Sequence, residues 1–523
     1  GATHEVTGSC TYLEACGKRI LIDYGMEQGR DVYENIRVPC APSEIDYVFL
    51  THAHIDHSGL LPLLYAGGFR GEIHATQATV SLCQIMLRDS AHIQEFEAEW
   101  RNRKAKRSGG DIYTPLYTMQ EALGSLEHFV PHPYGEKISI ADGITIRFLD
   151  AGHLLGSSSI EIWLEENGIS KKLLFSGDIG NFHQPLIRDP QYADTADYVI
   201  MESTYGNRLH EKPKNYIQDF VQILLETFQR GGSVIIPSFA VGRTQELLYF
   251  LKQIKDQNLL GKYQDVPIYV DSPLAIEATE IFQRNKESCF DEEALAYVQR
   301  GENPIGVSGL RTAVTSEASM AINADTRSKI VISASGMCEA GRIKHHLKHN
   351  LWKPENTILF VGYQAVGTLG RRLLEGANYV TLFGESVKVA AQIRQLQGMS
   401  GHADQKGLEL WIQHVQQVKK VFVIHGETTA ADTFTELLNE QGISAYAPYS
   451  GTEFDVASGQ FLHEAEPVYL EKPKSVKASA TYDRLQIALD RVTAYIQNAR
   501  GYSNKELAKM ADQLTQLCNK WEQ

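Results

Sequence analysis

The chain has 523 residues, more than one ordinary core accommodates, so two or three domains are expected. It is 43% hydrophobic and 22% charged, which reads as globular, and its net charge of −14 disfavours a nonspecific polyanion binder without bearing on a local cleft. Seven scattered cysteines with no Cys-x-x-Cys pair argue against a disulfide framework and a thiolate zinc site, and point to a reducing cytoplasm. No stretch reaches the roughly 18 apolar residues of a membrane span, and "GATHEVTGSC" has neither a basic n-region nor an apolar h-region, so neither a span nor a signal peptide is expected.

In chain order, short apolar strands end in polar residues. "RILID" ends at Asp23, "YVFLTH" at His52, "ITIRFLDAGH" at His153, "KLLFSGD" at Asp178 and "DYVIMES" just past Glu202. A helix is predicted over 215–230, and after the strand "GSVIIPS" another over 243–255. The strands "VPIYVDS", "KIVISASG" and "NTILFVGY" follow, and then "KVFVIHGE" carries His425. Alternating strands and helices imply α/β layers with chemistry gathered at strand carboxyl ends. One group of strands ends in His, Asp and Glu and the other in Ser, Asp, Gly and Tyr. Two sheets are therefore expected, one serving metal and one serving binding. The segment 467–480 reads as a linker. Beyond it, Leu485, Leu489, Val492 and Ile496 predict one helix, and a Ser503/Glu506 capping box opens a second. This tail suits packing or oligomerisation, a homodimer being one such assembly.

"THAHIDHSGLL" packs His52, His54, Asp56 and His57 into six positions at a strand-to-helix junction. Neutral imidazoles and carboxylates are good zinc ligands. A His-x-His pair on a turn reaches one ion, and the Asp-His pair at the helix start reaches a second nearby. The distal residues His153, Asp178, Glu202, His402 and His425 stand where this motif demands partners. His345 and His349 share a helix face with no accompanying carboxylate motif, so the basic stretch "RIKHHLKH" reads as a solvated or RNA-facing helix.

Taken in order, "THAHIDHSGLLP", "DAGHLLGSSSIEI", "FSGDIGN", "ESTYGNR", "MSGHAD" and "VIHGE" resemble the motifs of the metallo-β-lactamase superfamily. More narrowly they resemble its β-CASP branch of RNA-processing nucleases, which includes ribonuclease J and the nuclease subunit of the pre-mRNA 3′-cleavage machinery. The resemblance covers roughly residues 1 to 465. It implies an αββα sandwich with an inserted α/β domain and a short helical C-terminal tail. The corresponding division is 1–207 and 396–466 for the metallo-β-lactamase domain, 208–395 for the β-CASP insert, and 467–523 for linker and tail. Members usually open with a strand just before a "GATxEVTGS"-like segment, whereas here that segment stands at Gly1.

The resemblance further implies two zinc ions. His52, His54 and His153 match the ligands of one, and Asp56, His57 and His425 those of the other. Asp178 matches the bridging carboxylate, and Asp23 a residue that orients the ligands. A histidine at the position of His425 goes with RNA rather than DNA substrates. The implied reaction is RNA phosphodiester hydrolysis by a hydroxide activated between the two zinc ions, leaving a 5′-phosphate and a 3′-hydroxyl, with Asp56 and Asp178 at the catalytic centre. His402 is the candidate general acid and Glu202 its support. Ser335, Gly336, Arg243, Arg371, Arg372 and Ser400 are the expected contacts to single-stranded RNA, the small residues because they let backbone N–H groups approach phosphates. Two rival readings are a small-molecule hydrolase of the same superfamily and an inactive RNA-binding scaffold. The long insert with "SGHAD" and "HGE" weighs against the first, and seven filled ligand positions against the second.

Overall fold

Runs of β-branched and aromatic residues form the strands, and their burial sets the faces they present. The computed structural model describes residues 1–28, 32–108, 112–210, 215–365, 367–396, 398–470 and 503–521, with 492, 496 and 499. These fall into two units, Gly1–Pro467 and Val468–Gln523.

The first unit opens with β1 (Thr11–Ala15), β2 (Lys18–Ile22), β3 (Tyr47–Phe49), β4 (Glu72–Thr76) and β5 (Phe129–His132), paired in that order in one sheet. Next come β6 (Ile138–Ala141), β7 (Ile144–Asp150), β8 (Ser158–Glu166), β9 (Ile169–Phe175) and β10 (Tyr198–Glu202). The chain then leaves for β11 (Val234–Pro237), β12 (Ile268–Asp271), β13 (Leu310–Thr312), β14 (Ile330–Ser333), β15 (Thr357–Phe360), a hairpin of β16 (Tyr379–Leu382) and β17 (Glu385–Lys388), and β18 (Gln392–Gln395). It returns with β19 (Lys420–Ile424) and β20 (Ala445–Tyr446). The second sheet runs β20-β19-β10-β9-β8-β7-β6, and the insert's sheet runs β13-β12-β14-β11-β15-β18.

The insert's sheet is parallel throughout, and "VIIP", "IYVD", "IVIS" and "TILF" are buried at every position, as a sheet covered on both faces requires. The first two sheets pack face to face, with Ile20, Ile22 and Phe49 of one against Ile146, Phe148, Ile160, Ile162 and Phe175 of the other. Each such side chain stabilises the sandwich by about 1.5–3 kcal/mol. The other face of the first sheet shares a core with the insert. Leu82 and Ile85 of the helix Gln77–Ser108 lie in the same cluster as Leu247, Ala278 and Phe282.

Two expectations are corrected. The strands that end in His, Asp and Glu do not form one sheet: Asp23 and His52 follow β2 and β3, whereas His153, Asp178, Glu202 and His425 follow strands of the second sheet. A sandwich brings two sheet edges together, so one site draws on both. Nor is the helix Ile343–Asn350 solvated on every face. Its inner row is Ile343, His346, Leu347 and Asn350, and His346 Nε2 lies 2.6 Å from Asp271 Oδ2 with Nδ1 3.0 Å from Asn323 Oδ1. Arg342 donates to the other Asp271 oxygen at 2.7 Å. The carboxylate that satisfies this histidine comes from the end of β12, beyond the reach of a local motif.

Asp150, the last residue of β7, is buried, and burial pushes its carboxyl up to about 7 against the hydrogen bond from Gly152 N at 2.9 Å and the charge of Arg188. An unfolded aspartate titrates near 3.9. The folded state therefore keeps a proton that the unfolded state releases, and this residue's contribution to stability falls as pH rises from about 4 to about 7, then levels off. Asp150→Asn keeps the Oδ1 acceptor and removes the titration. Unfolding free energies from denaturant titrations at pH 5 to 8 are expected to show a flatter slope and a higher value at pH 8, by on the order of a few kcal/mol. An unchanged slope would refute the assignment.

In the second unit Ser503 Oγ donates to Glu506 Oε2 (2.8 Å) and Glu506 N to Ser503 Oγ (3.3 Å), so the expected capping box does open the helix Asn504–Trp521. The first tail helix and most of the linker lie outside the described residues. All seven cysteines are free. Among the described residues no helix is long and apolar enough to cross a membrane.

Candidate metal centre

The site forms where β2, β3, β7, β9, β10 and β19 all end. After β3 the chain turns into the short helix Ile55–Ser58, so His52 and His54 lie on the turn and Asp56 and His57 on the helix. The segment after Asp23 crosses this helix so closely that a Cβ on Gly25 would stand 1.6 Å from the Asp56 carbonyl oxygen. Only glycine permits that approach.

Two groups of donor atoms converge. In one, His54 Nδ1 lies 3.0 Å from His52 Nε2 and 3.2 Å from His153 Nε2, with Asp178 Oδ2 3.5 and 3.6 Å from those two nitrogens. In the other, His57 Nε2 lies 3.1 Å from His425 Nε2, which is 3.7 Å from Asp56 Oδ2. Asp178 Oδ1 faces this second group, 3.3 Å from His57 Nε2. Within each group the donor atoms stand within 4.8 Å of one another. All seven residues expected as ligands are thus brought together.

His57, His153 and His425 each have their other ring nitrogen occupied, which fixes which atom faces inward. His57 Nδ1 lies 2.7 Å from Asp23 Oδ2, His153 Nδ1 2.8 Å from the Gly401 carbonyl, and His425 Nδ1 3.1 Å from Thr204 Oγ1. Asp23 in turn accepts from Thr51 N at 2.8 Å and Thr51 Oγ1 at 2.9 Å. Histidines so held present Nε2 lone pairs to a common point. His425 also has a left-handed backbone (φ 50°), uncommon for a residue of its kind and often kept at functional sites. Burial pushes His52, His54 and His153 below the usual histidine range, toward the neutral form a metal needs. Burial opposes ionisation of Asp178, but the surrounding histidines, His425 foremost, hold it well below the carboxylate range. Its buried Oδ1 accepts no hydrogen bond, an orphan lone pair aimed into a nest of imidazoles. The donor set therefore fits cations.

Beside the two groups, His402 Nδ1 lies 3.2 Å from both oxygens of Glu202. Burial disfavours the imidazolium, yet Glu202 and then Asp178 outweigh it, and His402 is pushed up to about 9. Glu202 is buried and also accepts from Ile179 N at 2.6 Å, so its orientation is fixed. Ser400 caps the same loop, its Oγ 3.3 Å from His402 N.

The other expected RNA contacts lie in the insert. Ser335 and Gly336 follow β14, and their hydrogen bonds run to Ala340 and Gln364. Arg371 pairs with Glu375 on the helix Leu369–Leu374, and Arg372 is exposed there. Arg243 is largely buried, paired with Glu246 and donating to the Met399 carbonyl at 2.8 Å. Sequence reasoning did not single out Thr51, Thr204, Asn181 or Gln184, whose side chains hold ligands or loop carbonyls. Thr51, Asn181 and Thr204 each left a signal, standing inside the motifs "THAHIDHSGLLP", "FSGDIGN" and "ESTYGNR"; Gln184 left none.

A sandwich with two histidine–carboxylate groups at its strand ends defines a metal-dependent hydrolase. Three family descriptions match the chain: Metallo-beta-lactamase superfamily over residues 5–204, Beta-Casp domain over 244–373, and Zn-dependent metallo-hydrolase RNA specificity domain over 386–448. Ribonuclease TTHA0252 of Thermus thermophilus is 37% identical over 444 residues, 84% of this chain and 95% of that protein. The RNase J-like protein of Methanocaldococcus jannaschii is 31% identical over 456 residues, 86% and 97% of the two chains. Transcription termination factor FttA of Methanosarcina mazei is 30% identical over 444 residues, 82% of this chain and 66% of that protein. The chain belongs to the β-CASP branch of the metallo-β-lactamase superfamily, a family of metal-dependent RNA nucleases.

Proposed function

We propose that this chain is a zinc-dependent ribonuclease that hydrolyses single-stranded RNA to 5′-phosphate and 3′-hydroxyl ends, acting in RNA processing or decay. The observation that carries the reading is the Glu202–His402 pair set against a double donor group that shares Asp178. His52, His54, His153 and Asp178 would hold one zinc ion, and Asp56, His57, His425 and Asp178 the other. Bound zinc supplies Lewis acidity and lowers the pKa of water toward about 7.

The residues of the chain do the rest. A water oxygen bonds to phosphorus and its spare proton passes to solvent. The P–O3′ bond breaks with its electron pair on O3′, which takes a proton from His402. Glu202 occupies Nδ1, so Nε2 is the atom that donates, and the Glu202 carboxylate favours the protonated ring. The insert, 208–395, would close over the cleft, with 1–207 and 396–466 forming the metal domain. A reducing compartment suits seven free cysteines.

The test is incubation with RNAs labelled at either end, as 5′-triphosphate and 5′-monophosphate forms, with and without a chelator. Zinc-dependent cleavage to 5′-phosphate ends is expected. Mononucleotide release would mark a 5′-exonuclease and discrete fragments an endonuclease. Full cleavage in a metal-stripped protein, or 3′-phosphate ends, would refute the scheme.

A further inference from the structure

We infer that Arg243 and Tyr216, at the first turns of two helices of the insert, are positioning residues for His402; this rests on the reading of His402 as the general acid. His402 sits in a loop whose successive carbonyl oxygens are each held by a different side chain. Tyr216 Oη donates to Gly398 O at 2.7 Å and Arg243 Nη2 to Met399 O at 2.8 Å. Asn181 Nδ2 donates to Ser400 O at 3.0 Å, His153 Nδ1 stands 2.8 Å from Gly401 O, and His210 Nε2 3.0 Å from His402 O. Asn181 and His153 belong to the metal domain, whereas Tyr216 and Arg243 open the insert helices Tyr216–Gln229 and Arg243–Asp256. The Arg243 side chain is only 12% exposed and its charge is met by Glu246, so the guanidinium is committed to a main-chain carbonyl three residues before the acid. A displacement of about 1 Å at a reacting group costs on the order of 10²-fold in rate. The insert thus fixes where the leaving oxygen finds its proton, besides covering the cleft.

Tyr216→Phe removes one hydroxyl, and Arg243→Met combined with Glu246→Gln removes the carbonyl bond without burying an unpaired carboxylate. Each is assayed for zinc content, for kcat and KM on an oligoribonucleotide, and on the same oligonucleotide with sulfur in place of O3′ at the cleaved linkage. A thiolate leaves without a proton. The expected result is a kcat on normal RNA reduced about tenfold for Tyr216→Phe and about 10- to 100-fold for the double variant. KM is expected to stay within about twofold, with zinc retained and the sulfur substrate cleaved at the parental rate. Parallel loss on both substrates, or a raised KM with kcat intact, would overturn the inference. So would unchanged turnover of normal RNA. His402→Ala is run alongside. If it too slows both substrates equally, the general-acid reading is what fails; if it is selective while the two variants are not, only the positioning role fails.

Discussion

Replacing Asp178 with alanine is expected to abolish RNA cleavage and to bring bound zinc well below two per chain. The carboxylate faces both donor clusters, Oδ2 toward His52 and His153 and Oδ1 toward His57. It is buried, and nearby histidines, His425 foremost, hold it ionised. Removing one partner from a buried charged cluster also costs about 3–5 kcal/mol of folding stability, so a melting curve is recorded beside the metal analysis. Metal analysis and a cleavage assay on the same preparation check both halves. Retention of two zinc ions with full activity would remove Asp178 from the site.

His402→Ala is expected to separate what Asp178→Ala joins. Nδ1 of His402 is spent on Glu202, and the ring belongs to neither donor group. Zinc content is therefore expected to stay at the parental level while cleavage slows by about 10²- to 10⁴-fold, the range for loss of a general acid. Single-turnover rates and metal content decide the matter. An unchanged rate would take His402 out of the mechanism, and loss of zinc would make it a ligand instead.

The near half of the site was legible in the sequence because it is local. His52, His54, Asp56 and His57 fall within one strand-to-helix turn, and short-range geometry alone brings them together. Asp178 and His425 were legible as strand ends once the ordered motifs supplied the partners. The split of the ligands over two sheets was not, since strand pairing joins residues far apart in the chain: β10 lies between β9 and β19, and the whole insert separates it from the latter. His346 shows the same limit from the other side. Its neighbours in sequence are basic and suggest solvent, but the carboxylate that satisfies it is Asp271, on another strand. Arg243 reads as an RNA contact until the fold shows its guanidinium turned onto Met399 O. Nothing in a sequence marks which backbone carbonyl a side chain will reach.

The strand β19 docks on the open edge of β10, pairing Glu202 with Ile424, and His425 follows at once. About 200 residues separate Glu202 from His402 and His425. At 5–20 residues per second the ribosome needs roughly 10–40 s to cover that distance. Through that interval the emerging polypeptide carries His52, His54, His57 and His153 but lacks His402 and His425. Because β19 and then β20 extend the sheet outward from β10, they join without unpicking anything already folded.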